Sequence, residues 1–108
     1  MGFSKENIKF FFEVIDRNYT IPFEQFDEGP ENKFTVADFE IIFQDAKVTV
    51  RPQFAKKQEF EIEKSKRGFE YLVHFENNRA SGTVADFNLL KMLFRKWIKK
   101  TIKFHQRG

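Results

Sequence analysis

Residues 83–104 carry the pattern that most constrains this chain. Placed about 100° apart, as on an α-helix, Phe87, Leu90, Leu93, Phe94, Trp97, Ile98, Thr101 and Phe104 fall on one side. Lys91, Arg95, Lys96, Lys99, Lys100 and Lys103 fall on the other. Thr83 reads as the N-cap, with Asp86 three residues on, a capping box with Asp in place of the usual Glu. The apolar side of such a helix is committed to a core, so the rest of the chain has to supply a matching apolar surface.

Alternating runs supply it. Phe60 and Ile62 alternate with Glu59, Glu61 and Glu63, and Phe69, Tyr71, Val73 and Phe75 alternate again after the polar turn 64–68. This period of two predicts a hairpin with strands at 58–63 and 69–76. Residues 34–51 admit two readings. As strands, Phe39, Ile41 and Phe43 alternate with Asp38, Glu40 and Gln44, and Val48 and Val50 continue after Asp45-Ala46. As a helix, Thr35 would cap it, with Val36, Phe39, Phe43 and Ala46 on one face. The β-branched run at 48–50 favours strands, at 38–44 and 47–51. Residues 4–17 read as a helix capped by Ser4, with Ile8, Phe11, Phe12 and Ile15 at helical spacing. Thr20 to Asn32, with Pro22, Gly29 and Pro30, reads as a loop with a short extended piece at 21–26, and Asn77 to Gly82 reads as a turn. Thr-Val-Ala-Asp-Phe occurs at both 35–39 and 83–87; a helix start at both would overturn the strand at 38–44.

The expected architecture is therefore α+β in a single domain, 1–108. An N-terminal helix precedes a four-stranded antiparallel sheet of two hairpins, and a long C-terminal amphipathic helix packs on one face. The core expected from the helices is Ile8, Phe11, Phe12, Ile15, Phe87, Leu90, Phe94, Trp97 and Ile98. From the strands it is Phe39, Ile41, Phe43, Val48, Val50, Phe60, Ile62, Phe69, Tyr71, Val73 and Phe75. The chain has 16 Phe in 108 residues, which reads as a core built on Phe where most proteins use Leu. The other reading is that some Phe are exposed for base stacking or for a partner.

At 41% apolar and 32% charged residues, the composition is that of a folded protein rather than a disordered one. No Cys is present, which excludes a disulfide scaffold and any thiolate ligand or thiol nucleophile. No apolar run approaches about 18 residues, and Met1 to Phe12 lacks the apolar core of a signal peptide. A soluble, cytoplasmic protein is the expectation.

Net charge is +3 but strongly polarised. Residues 1–46 hold four basic and ten acidic groups, whereas residues 79–108 hold eight basic groups and only Asp86. The cations of the last helix form a face about 25–30 Å long, able to release several counterions from a polyanion. Lys64, Lys66 and Arg67, in the turn 64–68, would extend that surface if the turn lies beside the helix. Non-catalytic nucleic-acid binding through Lys91, Arg95, Lys96, Lys99, Lys100, Lys103, Lys64, Lys66 and Arg67 ranks first. A protein-interaction module, an adaptor or an inhibitor of the mobile-element type, ranks second; there the acidic N-terminal half or the basic helix contacts a protein, an acidic one in the case of the helix. A metal-dependent nuclease ranks third: Asp45 and Lys47 follow an apolar strand, with Glu31 and Glu40 upstream. No metal site or cofactor is expected, since His74 and His105 have no partner at ligand spacing and the five Gly are scattered. No small-molecule substrate and no membrane partner is indicated.

Overall fold

A computed structural model describes residues 3–26, 31–65, 71–75, 80–84 and 86–107. The chain opens with helix α1, Lys5–Ile15. Ser4 Oγ accepts from the Asn7 N–H at 3.2 Å, and Glu6 sits in the first turn, where the dipole favours a carboxylate. The helix stops because Asp16 turns the chain: its backbone is extended, and its side chain accepts from the Asn18 N–H at 3.0 Å. The expected extended piece at 21–26 is instead a 3-10 turn at Phe23–Gln25, reached after Pro22.

Six strands come next: β1 Asn32–Val36, β2 Phe39–Gln44, β3 Lys47–Pro52, β4 Phe60–Lys64, β5 Tyr71–Phe75 and β6 Ala80–Val84. They form one antiparallel sheet in the order β1-β2-β3-β4-β5-β6, each strand paired with its sequence neighbour. Helix α2, Phe87–Arg107, closes the chain. The α+β class and the order of helix, antiparallel sheet and helix hold. The expected count of four strands is corrected to six, because a strand was missed at each edge.

Both omissions have physical causes. β1, Asn-Lys-Phe-Thr-Val, lies against β2 alone, with Asn32 opposite Phe43 and Val36 opposite Phe39. It is too short for its two apolar residues to show alternation. It is joined to β2 by the two-residue turn Ala37-Asp38, and Ala37 takes φ 51°, a left-handed value that usually calls for Gly. β6 is the segment Ala-Ser-Gly-Thr-Val, partly read as a turn because Gly and Ser favour one. The paired edge of β5 supplies its hydrogen bonds, with Tyr71 opposite Val84 and Phe75 opposite Ala80.

The cap of α2 moves accordingly. Thr83 lies in β6, and Asp86 caps instead: its Oδ1 accepts from the Leu89 N–H at 2.9 Å, and its carbonyl from the Leu90 N–H at 3.3 Å. The pentapeptide thus has two fates. At 35–39 it ends one strand and begins the next; at 83–87 it ends a strand and begins a helix. Residues 34–51 are strands, so the helical alternative for them falls. The first strand of the second hairpin begins at Phe60 rather than 58 and runs to Lys64, and the second is described over 71–75, with residues 69, 70 and 76 outside the described residues.

Both helices lie on one face of the sheet. The rows Phe39/Pro52, Ile41/Val50, Phe43/Val48, Ile62/Val73 and Phe60/Phe75 face them. Phe94 is the hub, with ring centroids 5.2 Å from both Phe11 and Phe60, and Trp97 packs on Phe60 at 5.3 Å and Phe39 at 6.1 Å. A second aromatic group gathers around Phe12, which stacks on Tyr19 and Phe43 at 5.4 and 5.8 Å. Most expected core positions are buried. Ile15, Tyr71, Phe75 and Phe87 are half-buried against the core, Phe3 and Val36 join it unforeseen, and Ile42 is buried on the opposite face of the sheet. Phe104, expected on the apolar side, is 61% exposed, because burial of α2 ends at Thr101 and residues 102–106 are exposed.

Phe94→Ala is expected to lower unfolding free energy by about 3–5 kcal/mol in urea titrations, the range for a fully enclosed aromatic. Phe104→Ala should stay within about 0.5 kcal/mol.

Candidate polyanion interface

The two faces of the molecule treat their charges differently. On the sheet face away from the helices, the residues alternating with the core positions form a cross-strand ladder. Arg51 on β3 donates from Nε and Nη2 to Glu59 at 2.8 and 2.7 Å and reaches Glu40 on β2 at 3.5 Å. Lys47 pairs with Glu61 on β4 at 2.6 Å, and Lys33 on β1 approaches Glu40 at 3.8 Å. Ile42 and Thr49 are buried beneath these long side chains. The Glu61 hydrogen bond pushes the Lys47 amine above its ordinary range against partial desolvation, and Glu59 does the same for the Arg51 guanidinium. Each of these cations therefore already has a carboxylate.

The exposed arc of α2 is arranged otherwise. Arg95, Lys96, Lys99, Lys100 and Lys103 are exposed, and Lys91 is half-buried. Among the described residues, Lys96, Lys99 and Lys103 form no ion pair. Lys91 and Arg95 instead rest on an aromatic floor: Lys91 Nζ lies 5.6 Å from the Phe10 ring centroid and 5.7 Å from that of Phe87, and the Arg95 guanidinium lies 5.3 Å from Phe10.

Helix α1 runs beside this arc and leaves an open groove of ≈ 700 Å³. One wall is α2, presenting Lys91, Arg95 and Lys99 around Ile98. The other is α1 with the turn after it, presenting Glu6, Lys9, Glu13 and Arg17 around Phe10 and Val14. Lys9 pairs with Glu13 at 3.5 Å, one turn apart. The α2 wall carries three cations and no carboxylate, while the α1 wall alternates in sign.

The structure thus brings Lys91, Arg95, Lys96, Lys99, Lys100 and Lys103 onto one exposed arc. Lys64 stands apart from most of them. It lies opposite Tyr71 at the end of β4, and Tyr71 packs on Phe87 in the first turn of α2. That places it by the N-terminal end of the helix, about 18 Å of axial rise from Lys99. Lys66 and Arg67 lie outside the described residues. Sequence reasoning missed Lys9, Phe10 and Arg17. Lys9 and Phe10 lie on α1 and Arg17 in the turn that follows it, and only the packing of α1 beside α2 brings them into a groove wall.

Of the residues the nuclease reading names, Glu31 precedes β1 at the sheet end that holds Asp45, since Asn32 lies opposite Phe43, while Glu40 and Lys47 are engaged in ion pairs. Asp45 lies in the β2–β3 turn, Glu40 lies toward the other end of β2 and pairs with Arg51, and Lys47 is held by Glu61. No cluster of three His, Asp or Glu side chains suited to a metal ion occurs among the described residues. His74 lies on β5 opposite Glu61, and His105 stacks on Phe54 with ring centroids 3.9 Å apart. No helix among the described residues is long and apolar enough to cross a membrane. Compared with protein-family models, curated proteins and solved structures, the chain gives no significant match.

The ladder carries a pH signature. Lys47 has a raised pKa in the folded state, so its pairing stabilises the fold fully below the unfolded value near 10.5 and is lost as pH rises through the folded value. Glu61→Gln should therefore cost under about 1 kcal/mol at pH 7, since the pair is partly exposed, with a cost that shrinks above pH 10.5. Thermal melts of both proteins from pH 7 to 11 check this, and a cost constant across that range would contradict it.

Proposed function

We propose that the protein binds nucleic acid without catalysis, through the exposed cationic arc of α2. The observation that carries this reading is the contrast between the two faces. The sheet cations Lys33, Lys47 and Arg51 are neutralised by Glu40, Glu59 and Glu61, whereas Lys96, Lys99 and Lys103 of α2 pair with no carboxylate among the described residues. Neighbouring carboxylates would suit a cation whose task is solvation or internal cohesion. A row of unneutralised cations along a helix holds an attractive potential for phosphates and draws them in over a Debye length. Leu90, Phe94, Trp97, Ile98 and Thr101 of the same helix are buried, so the cations on the opposite arc are held facing outward.

An acidic protein is the second reading. Leu89 and Met92 are 47% and 54% exposed on the first turns of α2, on the arc that Lys96 continues. Apolar contact area next to cations is a feature of protein partners more than of phosphate backbones.

Lys96→Glu combined with Lys99→Glu should leave the melting temperature nearly unchanged, because both side chains are exposed. The pair should weaken binding to a labelled oligonucleotide by at least about tenfold at 0.1 M salt, as two favourable phosphate contacts become repulsive. Equal affinity in the two folded proteins would overturn the assignment to α2. Binding by Leu89→Ser and Met92→Ser to an oligonucleotide should match the native protein; a loss there would favour the acidic-protein reading.

A further inference from the structure

The groove beside α2 has two unlike walls, and nucleic acid in single-stranded form has two unlike sides. Lys91, Arg95 and Lys99 stand at four-residue spacing on the α2 wall, a row of cations about 6 Å apart. An extended strand can stretch each phosphate repeat toward twice the roughly 3.4 Å per-strand rise of a stacked duplex, and so meet that row one phosphate per cation. The α1 wall is less suited to phosphates, because Glu6 and Glu13 offset Lys9 and Arg17 and leave it no net positive charge. It does suit bases. Phe10 offers a ring face, and carboxylates accept hydrogen bonds from the amino groups of base edges.

Resting on the nucleic-acid reading above, we propose that the α1–α2 groove takes a single strand, with its phosphates along Lys91, Arg95 and Lys99 and its bases turned toward Phe10, Glu6 and Glu13. In the free protein Lys91 and Arg95 cover the Phe10 ring at 5.6 and 5.3 Å. When they swing to phosphates, the ring they covered becomes available to a base, so backbone capture and base stacking are coupled. A duplex keeps its bases paired and cannot turn them toward Phe10, and its second backbone would gain no net attraction from a wall where Glu6 and Glu13 offset Lys9 and Arg17. The preference for a single strand therefore comes from the ring face together with the one-sided placement of unopposed cations. The α1 wall adds the positively charged ends of Lys9 and Arg17, but Lys9 is tied to Glu13, which leaves that wall close to neutral.

The test is fluorescence anisotropy on the full chain with a labelled DNA of about 12 nucleotides, single-stranded or annealed to its complement, a length within known single-strand site sizes. The native protein should bind the single strand at least about tenfold more tightly than the duplex. Phe10→Leu, which keeps an apolar side chain without the ring face, should cut single-strand affinity by about tenfold. Glu6→Lys with Glu13→Lys should raise duplex affinity more than single-strand affinity and so close the gap; it reads out the same groove even if Phe10→Leu fails to fold. Equal or tighter duplex binding by the native protein would overturn the proposal. So would unchanged single-strand affinity in a folded Phe10→Leu, with loss only on Lys96→Glu; that result leaves the nucleic-acid reading standing. Failure of the native protein to bind either probe overturns both. Displacement of the single strand by poly-glutamate at equal charge concentration would replace nucleic acid with an acidic protein as the groove's occupant.

Discussion

The packing of one helical arc on one sheet face governs the rest of this molecule. Phe94 and Trp97 of α2 press on Phe60 and Phe39 of the sheet at centroid distances of 5.2 to 6.1 Å, and Phe11 of α1 closes on Phe94 from the side. These rings are edge-on or tilted to one another, the arrangement the quadrupole of an aromatic ring favours. With that arc buried, the rotation of α2 about its axis is fixed, and the side chains between the buried positions have one direction left to face. The cationic arc is a consequence of the aromatic one.

The same constraint sorts the charges of the whole chain into two populations. Charges on the far sheet face meet across strands at the spacing the sheet imposes, so Lys33, Lys47 and Arg51 find carboxylates by register. Charges on α2 face α1 and the turn after it, where Glu6, Lys9, Glu13 and Arg17 alternate in sign and part of the charge is spent on the Lys9–Glu13 pair. Among the described residues, no carboxylate of the acidic N-terminal half pairs with Lys96, Lys99 or Lys103, although the two helices lie side by side.

The elements that were legible in the sequence are those whose own residues carry the signal. Ile8, Phe11 and Phe12 mark α1; Phe60 and Ile62 with Val73 and Phe75 mark a hairpin; Leu90, Phe94 and Trp97 mark α2. The edge strands were not legible, because β1 and β6 are strands by virtue of the neighbour that hydrogen-bonds them. Ala37 at φ 51° shows the same dependence: a turn made without Gly gives no turn signal. The repeated Thr-Val-Ala-Asp-Phe shows it within one chain, as identical residues continue into a strand at Phe39 and a helix at Phe87. The residues beyond the shared Phe decide between them, since an alternating run begins at Phe39 and a helical one at Phe87. The cationic arc could be read from spacing alone, whereas the groove needed the placement of α1.

Cations of α2 that hold counterions rather than carboxylates are the centre of the proposed function, and counterion release measures that property directly. The most direct measurement is the affinity of the native protein for a single-stranded oligonucleotide as a function of salt. With three to six phosphates neutralised, the logarithm of the binding constant should fall against the logarithm of salt concentration with a slope between about −2 and −4. A slope near zero, or no binding at low salt, would contradict it.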